Sequence, residues 1–178
     1  SGLPESAKEQ AKASALDKNK EGWRFTLQQP SINPLLTYLD NPQIREKIYR
    51  AYFSRATKEP HDNTKLISEI LNLRKEKAKI LGFKDFADLI LNDRMAHDGK
   101  TARDFIIELT KKVSTRSEEE HKELEAFRKS LEGEDAPTIK PWDAGYYIEK
   151  LRKSKYDFDP ELLRPYFSYE KVLNGVFT

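Results

Sequence analysis

The feature that most constrains the fold is the stretch from Thr101 to Leu131, which contains neither glycine nor proline. Apolar residues recur every three or four positions at both ends of this stretch, whereas its middle, Ser114 to Lys122, is polar on every side. The pattern predicts one long helix over about residues 101–131 that packs at its two ends and crosses solvent between them. The alternative is a pair of helices separated near Ser117.

Most of the remaining chain shows the same helical period, with glycine or proline between the segments. Further helices are predicted over about residues 3–20, 34–39, 42–59, 62–81, 85–92 and 143–155. Trp23–Gln28 instead alternates apolar and polar residues, as a half-buried strand does, although one strand cannot stand alone. Pro160, Pro165 and Gly175 break up the tail. We therefore expect a mainly α fold, a multi-helical segment with at most a short strand near residues 23–27.

Composition excludes several classes of protein. The 178 residues suffice for one domain or a substantial piece of a larger protein. The 32 basic and 30 acidic residues leave a net charge of +2, too balanced for a dedicated nucleic-acid or membrane-surface binder. The chain has no cysteine, which excludes disulfides and thiolate metal sites. Its longest uncharged run, Phe25–Leu39, is shorter than the roughly 20 residues of a membrane span. We expect neither a nucleic-acid nor a membrane partner.

The residues alone reveal no self-contained active site. None of the three histidines, His61, His97 and His121, begins the His-Glu-x-x-His pattern of zinc hydrolases. Glu118–His121 has the spacing of half a di-iron motif, but a single copy inside a glutamate run indicates a solvated helix face. The basic and aromatic stretch Tyr146–Tyr156 is typical of an amphipathic helix more than of a nucleic-acid site. We therefore predict no catalytic residue, no cofactor-binding residue and no metal ligand in this chain.

The order of unusual sequence words along the chain is more informative. In chain order they include Gly2–Pro4 (GLP), Gly22–Leu27 (GWRFTL), Asn41–Tyr52 (NPQIREKIYRAY), Leu81–Ala87 (LGFKDFA), Arg94–Ala96 (RMA), Pro141–Asp143 (PWD), Leu163–Phe167 (LRPYF) and Val172–Phe177 (VLNGVF). This series resembles the middle part of the thimet oligopeptidase family of zinc metallopeptidases. The oligopeptidase A and dipeptidyl carboxypeptidase branches are the most similar, and the resemblance covers essentially the whole chain.

The resemblance implies a parent enzyme larger than this chain. Members of the family are two-lobed helical peptidases that cleave short peptides with a zinc-activated water, held by a His-Glu-x-x-His helix and a downstream glutamate. In the family those residues follow the position of Phe177. The resemblance thus implies that residues 1–178 are a helical segment of the channel-walling lobe, without the catalytic zinc domain. Zinc is then a cofactor of the full-length parent and not of this fragment, which alone would be inactive.

The same resemblance sets the expected partners and location. The parent would bind short peptide substrates, this segment would contact the missing catalytic domain of the same polypeptide, and the protein would be cytoplasmic. The alternative is a non-enzymatic helical protein-interaction module that keeps the family words for packing alone. A His-Glu-x-x-His motif after Phe177 in the full-length gene would decide between the two.

The last dozen residues are crowded with large apolar side chains. These are Phe167, Tyr169, Val172, Leu173, Val176 and Phe177. Without the family's catalytic core to cover them, they would form an exposed apolar patch. We expect the tail, residues 167–178, either to fold back onto the chain's own helices or to bury itself in a dimer with a second copy, a dimer caused by truncation.

Overall fold

The computed structural model describes residues 1–177, without the side chains of residues 160, 161 and 164. The described residues are 67% helical and contain no strand, which confirms the predicted mainly α fold. The helices are α1 (Glu5–Leu16), α2 (Gln29–Tyr38), α3 (Pro42–Phe53), α4 (Thr64–Ile80), α5 (Phe86–Leu91), α6 (Gly99–Glu132), α7 (Ala144–Tyr156), a 3-10 helix (Pro160–Tyr166) and α8 (Tyr169–Val176).

The long helix is continuous. α6 runs for 34 residues, so the alternative of two helices separated near Ser117 is wrong. It begins after Asp98, whose carboxylate accepts a hydrogen bond from the backbone N–H of Thr101 at 2.7 Å. It ends at Gly133, which adopts a left-handed φ of +100° and donates its N–H to the carbonyl of Lys129 at 2.8 Å. Both ends of α6 are therefore set by local sequence.

The segment predicted as a possible strand is irregular. The backbone N–H of Arg24 donates to the carbonyl of Ala11 at 2.9 Å, and that of Thr26 donates to the hydroxyl of Ser31 at 2.8 Å. The strand interpretation of Trp23–Gln28 is wrong because residues 1–177 contain no second strand to pair with it, and single hydrogen bonds to α1 and α2 take the place of a ladder.

The chain divides into two compact units, of which the first comprises residues 1–53 and 124–178. In this unit α2 packs against α1, α3 and α7. The buried apolar side chains of this unit are Ala7, Ala11 and Ala15 of α1, Ile32 and Leu35 of α2, Leu39 just after α2, Leu124 of α6, and Tyr146 and Tyr147 of α7. Leu124 forms one cluster with the two tyrosines. The three alanines, spaced four positions apart, are thus the face that α1 buries.

The N-terminal residues are held against the end of α2. The hydroxyl of Ser1 donates to the carboxylate of Asp40 at 2.6 Å, and the N–H of Asp40 donates to the carbonyl of Ser1 at 3.3 Å. The next residue, Gly2, adopts a φ of +91°, and a Cβ atom at this position would overlap the backbone carbonyl oxygen of Tyr38. Only glycine fits this position without rearrangement.

The second unit, residues 54–123, has almost no core of its own. α4 packs against α5, and Ala78 is the one buried residue that the structure describes in this unit. α4 ends in a left-handed stop, since Gly82 has a φ of +80° and the N–H of Phe83 donates to the carbonyl of Ala78. The carboxylate of Asp85 then caps α5 by accepting from the N–H of Asp88 at 3.0 Å.

The tail is more regular than its prolines and glycine indicated. Pro160–Tyr166 forms the 3-10 helix, and α8 continues through Gly175. The apolar side chains of the tail are nevertheless exposed, with Phe167 at 65% and Phe177 at 84%. The expectation that the tail folds back onto the chain's own helices is therefore wrong, and the dimer stays a prediction.

Candidate functional site

A group of charged side chains lies buried inside the first unit. Arg45 of α3 is 1% exposed, Asp143 just before α7 is 3% exposed, and Arg128 of α6 is 7% exposed. Arg45 donates from Nη2 and Nε to Oδ1 of Asp143 at 2.6 and 3.3 Å. Nη1 of Arg128 lies 3.7 Å from Oδ2 of the same carboxylate. We call these three residues the buried ion cluster.

Arg45 also hydrogen-bonds the backbone at the carboxyl end of α2. Its Nη1 donates to the backbone carbonyls of Leu39 and Asp40 at 2.6 and 3.0 Å. α3 begins in the right place for this contact because Asn41 caps it by accepting from the N–H of Ile44 at 2.9 Å. One guanidinium therefore fixes the carboxyl end of α2, the start of α3 and the residue before α7.

Tyr146 covers the Arg45 side of the cluster. The Arg45 guanidinium lies 4.0 Å from the centre of the Tyr146 ring, a cation–π distance. The Tyr146 hydroxyl donates to Oδ1 of Asp40 at 3.0 Å, and burial raises the pKa of this hydroxyl. Hydrogen bonds from Ser1 and from Tyr146 lower the pKa of Asp40, against the opposing effect of burial. Asp40 is therefore held as an ionised acceptor.

Tyr147 covers the Arg128 side in the same way. The Arg128 guanidinium lies 4.8 Å from the centre of the Tyr147 ring, and its Nε donates to Glu132 at 3.0 Å. The Tyr147 hydroxyl also donates to Glu132. Burial raises the pKa of Glu132, but the hydrogen bonds from Tyr147 and Arg128 outweigh it and lower the pKa overall. Burial, followed by the bond to Glu132, raises the pKa of Tyr147 well above that of free tyrosine.

The chemistry of the cluster is structural. No buried side-chain nitrogen or oxygen in the described part of the chain lacks a hydrogen-bond partner. The carboxylates beside it, Asp40 and Glu132, have pKa values lowered away from neutrality, which is the opposite of what a general acid working near pH 7 requires. The cluster therefore joins the end of α2 to α3, α6 and α7.

A cleft of about 620 Å³ lies beside the cluster, between the N-terminal residues, α2 and α7. Several of its charged groups are already engaged within the chain. Glu149 forms an ion pair with Arg152 at 2.6 Å, and Lys153 forms one with Asp159 at 3.3 Å. Asp40 is held by its two hydroxyl donors.

All three histidines belong to the second unit, residues 54–123. His61, His97 and His121 are all exposed, and no group of three histidine, cysteine, aspartate or glutamate side chains suited to a metal ion occurs within residues 1–177. Glu118–His121 lies on the exposed middle of α6, so the interpretation as a solvated helix face is confirmed. The described residues do not fit a zinc site.

Sequence reasoning missed the buried ion cluster. Arg45 looks like the nearby Arg50 in the sequence, although it precedes Tyr49 by four positions and so extends the apolar row of α3. The ring of Trp142 lies 6.0 Å from that of Tyr49 and 5.0 Å from the guanidinium of Arg50. The neighbouring Asp143 carried no sequence signal of burial.

Among the helices that the structure describes, none is both long enough and apolar enough to cross a membrane.

Comparison with known proteins identifies the family. The family model described as Peptidase family M3 matches residues 35–178. Oligopeptidase A of Escherichia coli K12 is 42% identical over 99% of this chain and 26% of its own length. Probable cytosolic oligopeptidase A of Arabidopsis thaliana is 37% identical over 99% of this chain and 26% of its own length. Dipeptidyl carboxypeptidase of Escherichia coli K12 is 32% identical over 96% of this chain and 25% of its own length.

The chain thus spans about a quarter of the length of the curated relatives it matches. The resemblance carried by the sequence words is confirmed by relatives from both of the expected branches. The words NPQIREKIYRAY and PWD supply Arg45 and Asp143, the two partners of the shortest bond in the buried ion cluster. This chain belongs to peptidase family M3.

Proposed function

We propose that residues 1–178 are a non-catalytic helical segment of the channel-walling lobe of a zinc-dependent oligopeptidase. The parent enzyme hydrolyses peptide bonds of short peptides with a zinc-activated water, and the zinc belongs to a part of the polypeptide outside this chain. The observation that carries the proposal is the match to relatives named oligopeptidase A over 99% of the chain. The name of the Arabidopsis relative supports a cytoplasmic location.

The geometry of the first unit favours a structural role for this segment. A buried ion cluster that joins four helices makes a wall whose helices keep fixed positions, because breaking any one charge pair leaves a buried charge without its partner. No step of the reaction is assigned to residues of this chain. The partners of the segment are the remainder of the same polypeptide and, through the channel, short peptide substrates.

The second candidate function is a non-enzymatic helical interaction module. It is favoured by the apolar surface of the second unit, where Leu66, Ile70 and Leu73 of α4 are 48, 46 and 57% exposed and Ile80 is 83% exposed. Exposed apolar surface of this kind indicates an interaction, but it does not distinguish a partner protein from the rest of the same polypeptide.

A hybrid enzyme separates the two functions. The matching quarter of Escherichia coli oligopeptidase A is replaced by residues 1–178, and cleavage of a quenched short peptide is measured with and without a chelator. The hybrid should cleave the peptide in a chelator-sensitive manner, whereas this chain alone should cleave nothing and retain no zinc after dialysis. The matched control is the same enzyme with that quarter deleted. A hybrid that melts cooperatively but has no activity would favour the interaction module.

A further inference from the structure

A small cavity in the first unit lies between α1, the irregular segment Trp23–Gln28 and α2. Its volume is about 200 Å³. Gln10 and Ser14 of α1 form part of its wall, and Arg24 of the irregular segment forms another part. We call this space the Arg24 cavity.

Arg24 is the only charged residue among the described residues that line the cavity. Its side chain is half-buried, and Nη1 donates to the hydroxyl of Ser14 at 2.9 Å. A guanidinium has five N–H donors, but within residues 1–177 that hydroxyl is the one acceptor for this side chain, and Arg24 forms no ion pair. The cavity therefore contains a positive charge without a counter-ion.

The other shielded arginines of the first unit show how unusual this is. Among the described side chains of the unit, three further arginines are not exposed, and each lies against a carboxylate. Arg45 contacts Asp143 at 2.6 Å, and Arg128 donates to a glutamate at 3.0 Å. Arg152 donates to Glu149 at 2.6 Å. Arg24 alone in this group has a cavity where the others have an acidic partner.

We propose that the Arg24 cavity binds the C-terminal carboxylate of a short peptide. The planar fork of a guanidinium matches a carboxylate in both charge and geometry. The amino end of α2 adds to the attraction, because this helix begins at Gln29 with no acidic residue in its first turn and no side-chain cap. The proposal concerns binding alone and does not depend on the catalytic function proposed for the parent.

The remaining lining residues favour the end of a peptide over an inorganic anion. Phe25, Pro30 and Pro34 give one side of the cavity an apolar surface for a small side chain. Gln10 and Gln28 carry amides, which both donate to and accept from a peptide group. A phosphate group carries up to two negative charges near neutral pH, whereas this cavity offers one positive side chain.

The size of the cavity limits the ligand to one terminal residue. Pockets for drug-sized ligands measure about 300–1,000 Å³, and the Arg24 cavity is smaller than that range. A peptide therefore places its last residue in the cavity and extends from it along the surface. A small last residue such as alanine is the best fit.

The test compares two peptides of equal size on the chain of residues 1–178. Acetyl-alanyl-alanine and its C-terminal amide have the same number of heavy atoms and differ in the charge at the end. Each is titrated into the chain while the backbone amide NMR signals of residues 24–31 are followed. The free acid should bind with a dissociation constant on the order of 1 mM, and the amide at least about tenfold more weakly.

Two variants assign the binding to Arg24. Arg24→Gln removes the charge and should weaken binding of the free acid at least about tenfold. Arg50→Gln removes an exposed arginine of α3 as the matched control and should change the affinity by less than about twofold. If Arg24→Gln does not fold, the comparison of acid and amide on the unsubstituted chain still decides.

Four results would overturn the proposal. The first is equal affinity for the acid and the amide, and the second is unchanged affinity in Arg24→Gln. The third is acetate binding as tightly as the peptide acid, which would indicate a general anion site. The fourth is loss of the Arg24-dependent preference for the acid in the zinc-free hybrid described above, which would show that a carboxylate of the parent polypeptide occupies the cavity. A hybrid that keeps this preference but cleaves no peptide would contradict the proposed function alone.

Discussion

Removing the carboxylate at the centre of the buried ion cluster should strongly destabilise the first unit. Asp143→Ala takes away the acceptor for Nε and Nη2 of Arg45, which is 1% exposed, and the oxygen facing Arg128, which is 7% exposed. Arg45 keeps the carbonyls of Leu39 and Asp40, but no charge of opposite sign remains against its Nη2. Leaving a buried charge without its partner costs about 3–5 kcal/mol.

That cost is a large part of the 5–15 kcal/mol that typically stabilises a domain. The free energy of unfolding of a small protein falls by about 1–3 kcal/mol per M urea, so the urea midpoint of Asp143→Ala should be lower by at least about 1 M. Far-ultraviolet circular dichroism measures this midpoint. Arg45→Met combined with Asp143→Ala should lose less than the sum of the two single variants, because the double variant buries no unpaired arginine at this position.

The matched control is an exposed pair on the same helix. Arg50 and Glu46 of α3 form an ion pair at 2.7 Å, but their side chains are 66 and 37% exposed. Glu46→Ala should therefore cost less than about 1 kcal/mol. If Asp143→Ala and Glu46→Ala shift the urea midpoint equally, burial does not govern the strength of these pairs and the reasoning fails.

Three further predictions follow from other parts of the chain. Because hydrogen bonding lowers the pKa of Glu132 despite burial, its contribution to stability is present above its unfolded pKa, near 4.5, and is lost as the pH falls through the lower folded value. Urea titrations from pH 6 to pH 3 should show a shallower acid loss for Glu132→Gln, and identical slopes would contradict this. Gly2→Ala should destabilise the chain by about 1–3 kcal/mol more than Gly22→Ala. Both glycines have a positive φ, but only a Cβ atom at Gly2 would overlap a backbone atom, the carbonyl oxygen of Tyr38. Equal melting temperatures for the two variants would disprove the clash. In sedimentation across concentration, the isolated chain should self-associate weakly through residues 167–178, while a chain ending at Pro165 stays monomeric; two monomers at high concentration would refute this.

Local sequence determined where the helices lie but only some of their ends. α2 begins at Gln29 and contains Pro34, which was predicted to open it, and α3 ends at Phe53 instead of near residue 59. A run without glycine or proline at Thr101–Leu131 predicted α6, because nothing in that stretch interrupts the i to i−4 hydrogen bonds. Gly82 and Asn41 marked a stop and a cap whose geometry involves only neighbouring residues. The family was also readable, since ordered sequence words do not depend on knowing which residues touch.

Long-range packing decided the rest. Arg45 and Arg50 look alike in the sequence, yet one is buried on a carboxylate 98 positions away and the other is in solvent. Trp23–Gln28 has the alternation of a strand, but a strand exists only when another one pairs with it. In each case the outcome depends on which distant groups reach the residue. The free energies of burial and of charge pairing arise from contacts between helices and loops that are distant in sequence. The local sequence of one segment does not show which distant residues it will contact.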